Sequence, residues 1–206
     1  YSDLFGSDDI RTIFNDKALV SRWLDVEVAI AQSQSELGII PEQAAVAITK
    51  AAVIYNIDIS KLRESTNKVG RGIKGLINQV KLAGGPKVAN YLHFGTTTQD
   101  IMDSATSMQV QEAITVTQSR LKQLIFTIIE LSIEHQNTVM VARSNGQDAV
   151  PTTFGLHLTT YMAELYRHYL RLSEVSSRLE VQFGSTVGTL APFGDKGLEL
   201  QIKVAD

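Results

Sequence analysis

The sequence predicts an all-α protein: an N-terminal helical domain over residues 1–92, then part of a long-helix bundle over residues 93–206. Three observations carry this prediction. From Ile101 to His135 no proline or glycine interrupts a pattern in which Ile101, Ala105, Met108, Leu121, Leu124, Ile128 and Leu131 recur near three- and four-residue spacing. A second such pattern spans Thr152 to about Gln182. The chain also has only four prolines and almost no alternating apolar runs, so strands are not expected. At ~1.5 Å per residue the first long helix reaches roughly 50 Å, which is bundle length.

The elements follow in order. Tyr1 to Phe14 is a polar and aromatic lead in which Asp8 and Asp9 cap a turn containing Arg11. Asp16 caps a helix from Lys17 to about Leu37, with Leu19, Trp23, Val26 and Ile30 on its buried side. Gly38 closes it, and Pro41 opens a second helix that ends near Tyr55. A third segment, Leu62 to Leu82, starts from Asp58 or Ser60 and contains Gly70, Gly72 and Gly75. Such a concentration of glycine marks close approach of the backbone to something, either another helix or a ligand. Gly84-Gly85-Pro86 turns the chain into a short helix that ends near Leu92.

A polar knot follows, Tyr91-Leu-His-Phe-Gly-Thr-Thr-Thr-Gln-Asp100, and leads directly into the first long helix. Thr97 is the expected N-cap, with Asp100 three residues later as a variant capping box. The knot therefore sits at the positive end of a long helix, where a carboxylate is favoured. After His135 the pattern breaks until Pro151 opens the second long helix, whose buried side takes Leu156, Leu165, Leu172, Val175 and Leu179. Gly184 and Gly188 end it, and Ser185, Thr186 and Thr189 form a second polar turn. Pro192 to Gly197 reads as a loop, and Leu198 to Asp206 as a helix cut short, so the sequence reads as the first part of a longer polypeptide.

Composition narrows the function. With 44% hydrophobic and 20% charged residues the chain is expected to fold and to be soluble. The absence of cysteine excludes disulfides, thiolate nucleophiles and cysteine metal sites. A net charge of -3 without a Lys/Arg stripe argues against nucleic acid, and no apolar run is long enough to span a membrane. The cytoplasm is the default location. His135, His157 and His168 lack ligand spacing, so no metal is expected, and no cofactor either.

Two polar clusters remain as candidate sites. The first offers His93, Thr96, Thr97, Thr98, Gln99 and Asp100; the second offers Arg143, Ser144, Asn145, Gln147 and Asp148. Hydroxyls and amides around an arginine suit a multiply charged carboxylate. In an antiparallel bundle the two junctions would fall apart within one chain, so a common pocket needs copies packed head to tail. The wide apolar faces of both long helices likewise call for an oligomer.

At these clusters the sequence resembles the fumarase/aspartase superfamily. His93-Phe-Gly-Thr-Thr-Thr-Gln-Asp100 is similar to its His-x-Gly-x-Thr-Ser-x-Asp stretch, and Arg143-Ser-Asn-Gly-Gln147 to its Arg-Thr-His-Gly-Gln stretch. Ile13-Phe-Asn-Asp-Lys-Ala-Leu-Val20 and Gly188-Thr-Leu-Ala resemble the 3-carboxy-cis,cis-muconate cycloisomerase branch. The resemblance covers essentially the whole chain. It implies a homotetramer with sites shared between subunits. It also implies proton abstraction beside a carboxylate, with addition or elimination at the neighbouring carbon of a small polycarboxylate.

The resemblance assigns Asn145, Ser144 and His93 to catalysis, and Thr97, Thr98, Gln99, Asp100, Arg143 and Gln147 to substrate binding. Asn145 stands where many members have a proton-transferring histidine, while Thr98 and Ser144 keep hydroxyls of changed shape. The family's loop with the catalytic serine and a Met-Pro-x-Lys-x-Asn signature does not occur in these residues, so this stretch alone is expected to be inactive. Adenylosuccinate lyase is the runner-up reading, with Arg11 and Lys68 as weak phosphate-binding candidates. A bundle scaffold without catalysis is the third.

Overall fold

A computed structural model describes residues 4–206; Tyr1, where the expected lead begins, lies outside the described residues. The helices are α1 (Asp8–Ile13), α2 (Asp16–Glu36), α3 (Glu42–Ala51), α4 (Ile59–Val69), α5 (Gly72–Gly84), α6 (Pro86–Ala89), α7 (Thr98–Glu134), α8 (Phe154–Ser176) and α9 (Gly197–Ala205). Two short 3-10 turns, Ile54–Asn56 and Ala191–Lys196, and one hairpin, β1 (Val139–Ser144) with β2 (Gln147–Thr153), complete the order. The described residues divide into two compact units: residues up to Val110 together with Glu180–Asp206, and Gln111–Leu179. Helix α7 contributes to both.

The first unit is built around α2. Its stripe of Trp23, Ile30 and neighbours packs with Ile48 of α3, Ile73 and Leu76 of α5, Ile101 of α7 and Leu200 of α9 in one apolar core. The cap of α2 is Asn15, whose side chain accepts from the Ala18 N–H at 2.8 Å; the expected cap, Asp16, occupies the first turn and faces the helix dipole instead. The segment expected to run from Leu62 to Leu82 breaks at Gly70, which ends α4 in the left-handed conformation with φ 79°. A Cβ on Gly72 would lie 2.9 Å from the Trp23 ring, and one on Gly75 2.8 Å from Ser65. These glycines therefore serve close helix packing. The last residues of the chain return to α2: Lys196 donates to the Leu37 carbonyl at 2.6 Å, and Lys203 pairs with Glu36 at 2.7 Å.

The second unit holds the main correction to the sequence reading. Residues 139–153, expected as irregular chain up to Pro151 and as the start of the second long helix from there, form an antiparallel hairpin in which Ser144 pairs with Gln147 and a register shift lies between Val141 and Arg143. Its two-residue turn is Asn145–Gly146, with φ 52° and 76°, the doubly left-handed turn whose twist matches paired strands. An Asn-Gly pair is the strongest short hairpin signal a sequence carries, and apolar alternation around it is weak because both strands are largely exposed. The hairpin leads into α8 through Gly155, where a Cβ would sit 2.4 Å from the Ser132 carbonyl of α7.

Helices α7 and α8 are joined in this unit by polar side chains. Gln118 donates to Ser173 and Gln111 to Ser176, each at 2.7 Å. The expected buried side of α8 is covered only in part: Leu165, Leu172 and Leu179 are half-buried, but Leu156 and Val175 are exposed. Helix α8 also ends at Ser176, before the expected Gln182, and the chain from Glu180 belongs to the first unit.

Candidate active site

The knot before α7 is built by backbone geometry that few residues tolerate. His93 has φ 64° and Gly95 φ 70°. A Cβ on Gly95 would lie 2.5 Å from the Phe193 ring, so residue 95 is both left-handed and without room for a side chain. Helix α2 grips the strained segment twice. Glu27 Oε1 lies 2.6 Å from His93 Nδ1, and Gln34 Nε2 donates to the Phe94 carbonyl at 2.9 Å. Thr96 Oγ1 donates to the His93 carbonyl at 3.1 Å.

Asp100 then locks the knot to the turn after Gln182. Its Oδ2 accepts the Thr97 N–H at 3.0 Å, the return half of the capping box. Its Oδ1 accepts from Gly184 N at 2.9 Å and its Oδ2 also from Ser185 N at 3.1 Å. The carboxylate is fully buried. Three charge-assisted bonds to backbone donors are what a buried carboxylate requires. Ser104 adds a reciprocal pair with the Gln182 backbone at 2.8 and 3.1 Å. The two polar turns of the sequence, Thr96–Asp100 and Ser185–Thr189, thus form one assembly around Asp100.

Within that assembly the candidate residues differ. Asp100, expected to bind substrate, has both oxygens engaged by backbone and holds the loop. Gln99 is exposed, and its amide donates to Asp103 one turn along. Thr97 and Thr98 are half-buried at the first turn of α7, and neither hydroxyl bonds to another of the described residues. Those hydroxyls, the helix dipole and the His93 ring can together hold a carboxylate.

The second cluster lies in the other compact unit, on the hairpin. Ser144, Asn145 and Gln147 are exposed around the turn, and Arg143 Nε is 3.9 Å from Asp148 Oδ1 with both side chains open to solvent. Asn145 there satisfies the positive φ of the turn as well as any ligand, since asparagine tolerates that conformation better than most residues. Sequence reasoning missed Glu27 and Gln34. The available signal was their position: residues 23, 27, 30 and 34 lie on one helical face, so two polar groups interrupt an apolar stripe.

Comparison with known proteins agrees with this architecture. A family model described as "Lyase" matches residues 5–201. The fold superposes on a crystal structure of fumarate lyase from Mesorhizobium sp. BNC1 with TM-score 0.94 and 37% identity, covering 99% of this chain and 48% of that one. The beta-carboxy-cis,cis-muconate cycloisomerase from Acinetobacter calcoaceticus sp. ADP1 gives TM-score 0.93 and 34% identity over 100% of this chain and 49% of that one. Adenylosuccinate lyase of Methanocaldococcus jannaschii is 34% identical over 98% of this chain and 44% of its own length. The chain spans about half the length of these relatives. Its sequence motifs, its fold and the family match along nearly its whole length agree, and the chain belongs to the fumarase/aspartase superfamily of lyases.

Proposed function

We propose that the whole protein acts on a small polycarboxylate. It abstracts a proton beside one carboxylate and adds or expels a group at the neighbouring carbon, most like a 3-carboxy-cis,cis-muconate cycloisomerase. The observation that carries this reading is the pair of hydroxyls, Thr97 and Thr98, without a partner among the described residues, at the N-terminus of a 37-residue helix, four and five residues after a carboxylate-bound imidazole. Thr97 and Thr98 hold a substrate carboxylate, and His93 orients it through its second ring nitrogen. Donors aimed at the developing charge stabilise an aci-carboxylate intermediate.

Asn145, with Ser144, Arg143 and Gln147 beside it, reaches the same substrate from another subunit of a homotetramer. An amide donates a hydrogen bond but does not transfer a proton. That favours chemistry in which the added or departing group is the substrate's own carboxylate, which leaves without a proton from the enzyme. The exposed apolar residues of the second unit, among them Phe126, Tyr166 and Leu170, support the oligomer.

The test is to assay the full-length protein on 3-carboxy-cis,cis-muconate and on adenylosuccinate. Lactone formation is expected. Fumarate release from adenylosuccinate without lactone chemistry would replace this reading with that of adenylosuccinate lyase, which the 34% identity to an archaeal enzyme of that name favours as the second choice. The variant Asn145→His separates both from a scaffold: activity that emerges only in the variant marks a non-catalytic relative.

A further inference from the structure

Among the described residues of the first unit, Glu27 is the one fully buried carboxylate without a role in the proposed function or in holding the knot. Its side chain is 1% exposed, its Oε1 lies 2.6 Å from His93 Nδ1, and its Oε2 is buried without a hydrogen-bond partner. A buried carboxylate with one bare oxygen is costly unless its remaining contact is strong, and a ring N–H donated to it is that contact. From this we infer that Glu27 is a positioning residue: it holds the His93 proton on Nδ1 and so leaves Nε2 as the ring nitrogen that meets the substrate. The inference rests on the proposed placing of His93 in the substrate pocket.

Three observations separate this from a simple core ion pair. The His93 ring keeps 21% of its surface open, whereas its partner is sealed. The His93 backbone is held at φ 64°, a conformation costly for a residue with a side chain. Thr96 and Gln34 fix the carbonyls of His93 and Phe94, so the ring is placed from both its backbone and its far nitrogen. A structural contact alone would need neither the strain nor the open edge. With Nδ1–H bound to Glu27, a neutral ring offers Nε2 as an acceptor, and a protonated ring offers it as a donor. A substrate carboxylate takes its hydrogen bond from the donor form.

The variant Glu27→Gln tests this, because an amide in the same place can donate to Nδ1 and drive the neutral proton to Nε2. With 15N-histidine-labelled full-length protein, the wild type should show the neutral His93 ring protonated on Nδ1. The resonance is assigned by its loss in His93→Gln. A wild-type ring protonated on Nε2 overturns the inference, with or without any activity and whether or not the Glu27 variant folds. In steady-state assays on 3-carboxy-cis,cis-muconate or adenylosuccinate, whichever is turned over, Glu27→Gln should raise KM about tenfold, more than it lowers kcat, because a neutral ring N–H replaces a charge-assisted donor to the substrate carboxylate. An unchanged KM in a folded variant would leave Glu27 a structural partner only. If neither compound reacts, the functional reading fails while the ring-proton measurement still decides the role of Glu27.

Discussion

At the head of α7, Asp100 is fully buried and takes three backbone N–H groups, while at the tip of the hairpin Asn145, Ser144 and Gln147 stand exposed. Both regions are polar turns with positive φ angles, at His93 and Gly95 in one and at Asn145 and Gly146 in the other. They differ in what holds them. The knot is fixed by contacts from α2 and from the turn at Gly184, elements distant in sequence. The hairpin turn is fixed by its own two residues and the strands beside them. A buried turn that binds through backbone donors is rigid without its ligand, whereas an exposed turn has its shape set locally.

The largest expected effect breaks the knot. Asp100→Ala leaves the N–H groups of Thr97, Gly184 and Ser185 without their acceptor, at ~1–3 kcal/mol for each buried donor. A loss of at least ~3 kcal/mol is expected in urea unfolding, with Asp100→Asn less severe because one oxygen remains. A loss below ~1 kcal/mol would show that the knot is held as locally as the hairpin.

Two glycine substitutions sharpen the contrast, since both positions carry similar strain. Gly95→Ala adds a Cβ 2.5 Å from Phe193 at φ 70°, so clash and strain combine to ~3 kcal/mol or more. Gly146→Ala adds a Cβ into open space at φ 76°, so strain alone remains, about 1 kcal/mol. Melting temperatures of the two variants measure the difference directly, and equal losses would remove packing as the distinguishing factor.

The smallest effect concerns the surface pair of Lys203 and Glu36, which ties α9 to α2. The hydrogen bond to Glu36 and then its charge raise the Lys203 pKa above its ordinary value. A group whose folded pKa is raised contributes stability that is complete below its unfolded pKa and is lost as pH rises through the folded one. Lys203→Gln should therefore lower the melting temperature slightly near neutral pH, and match the wild type once pH passes well above 10.5. A gap that persists there would assign the contribution to packing of the lysine stem.

What the sequence determined by itself was local. The 3.6-residue apolar period, the Asp100 return bond to the Thr97 N–H, and the turn at Gly84-Gly85-Pro86 are near-neighbour effects, legible wherever backbone sterics and short-range hydrogen bonds dominate. The Asn-Gly turn belongs to the same class: it was legible in principle and masked by the weak alternation of two exposed strands. Tertiary structure decided the rest. Glu27 reaches His93 across 66 residues, and Asp100 reaches Ser185 across 85. Only the closed core shows that one carboxylate serves a ring and the other a loop, because burial converts an ordinary acidic side chain into one that must find donors. The exposure of Leu156 and Val175 on α8 has the same origin, for an apolar face records that a helix has a partner and only packing shows whether this chain supplies it.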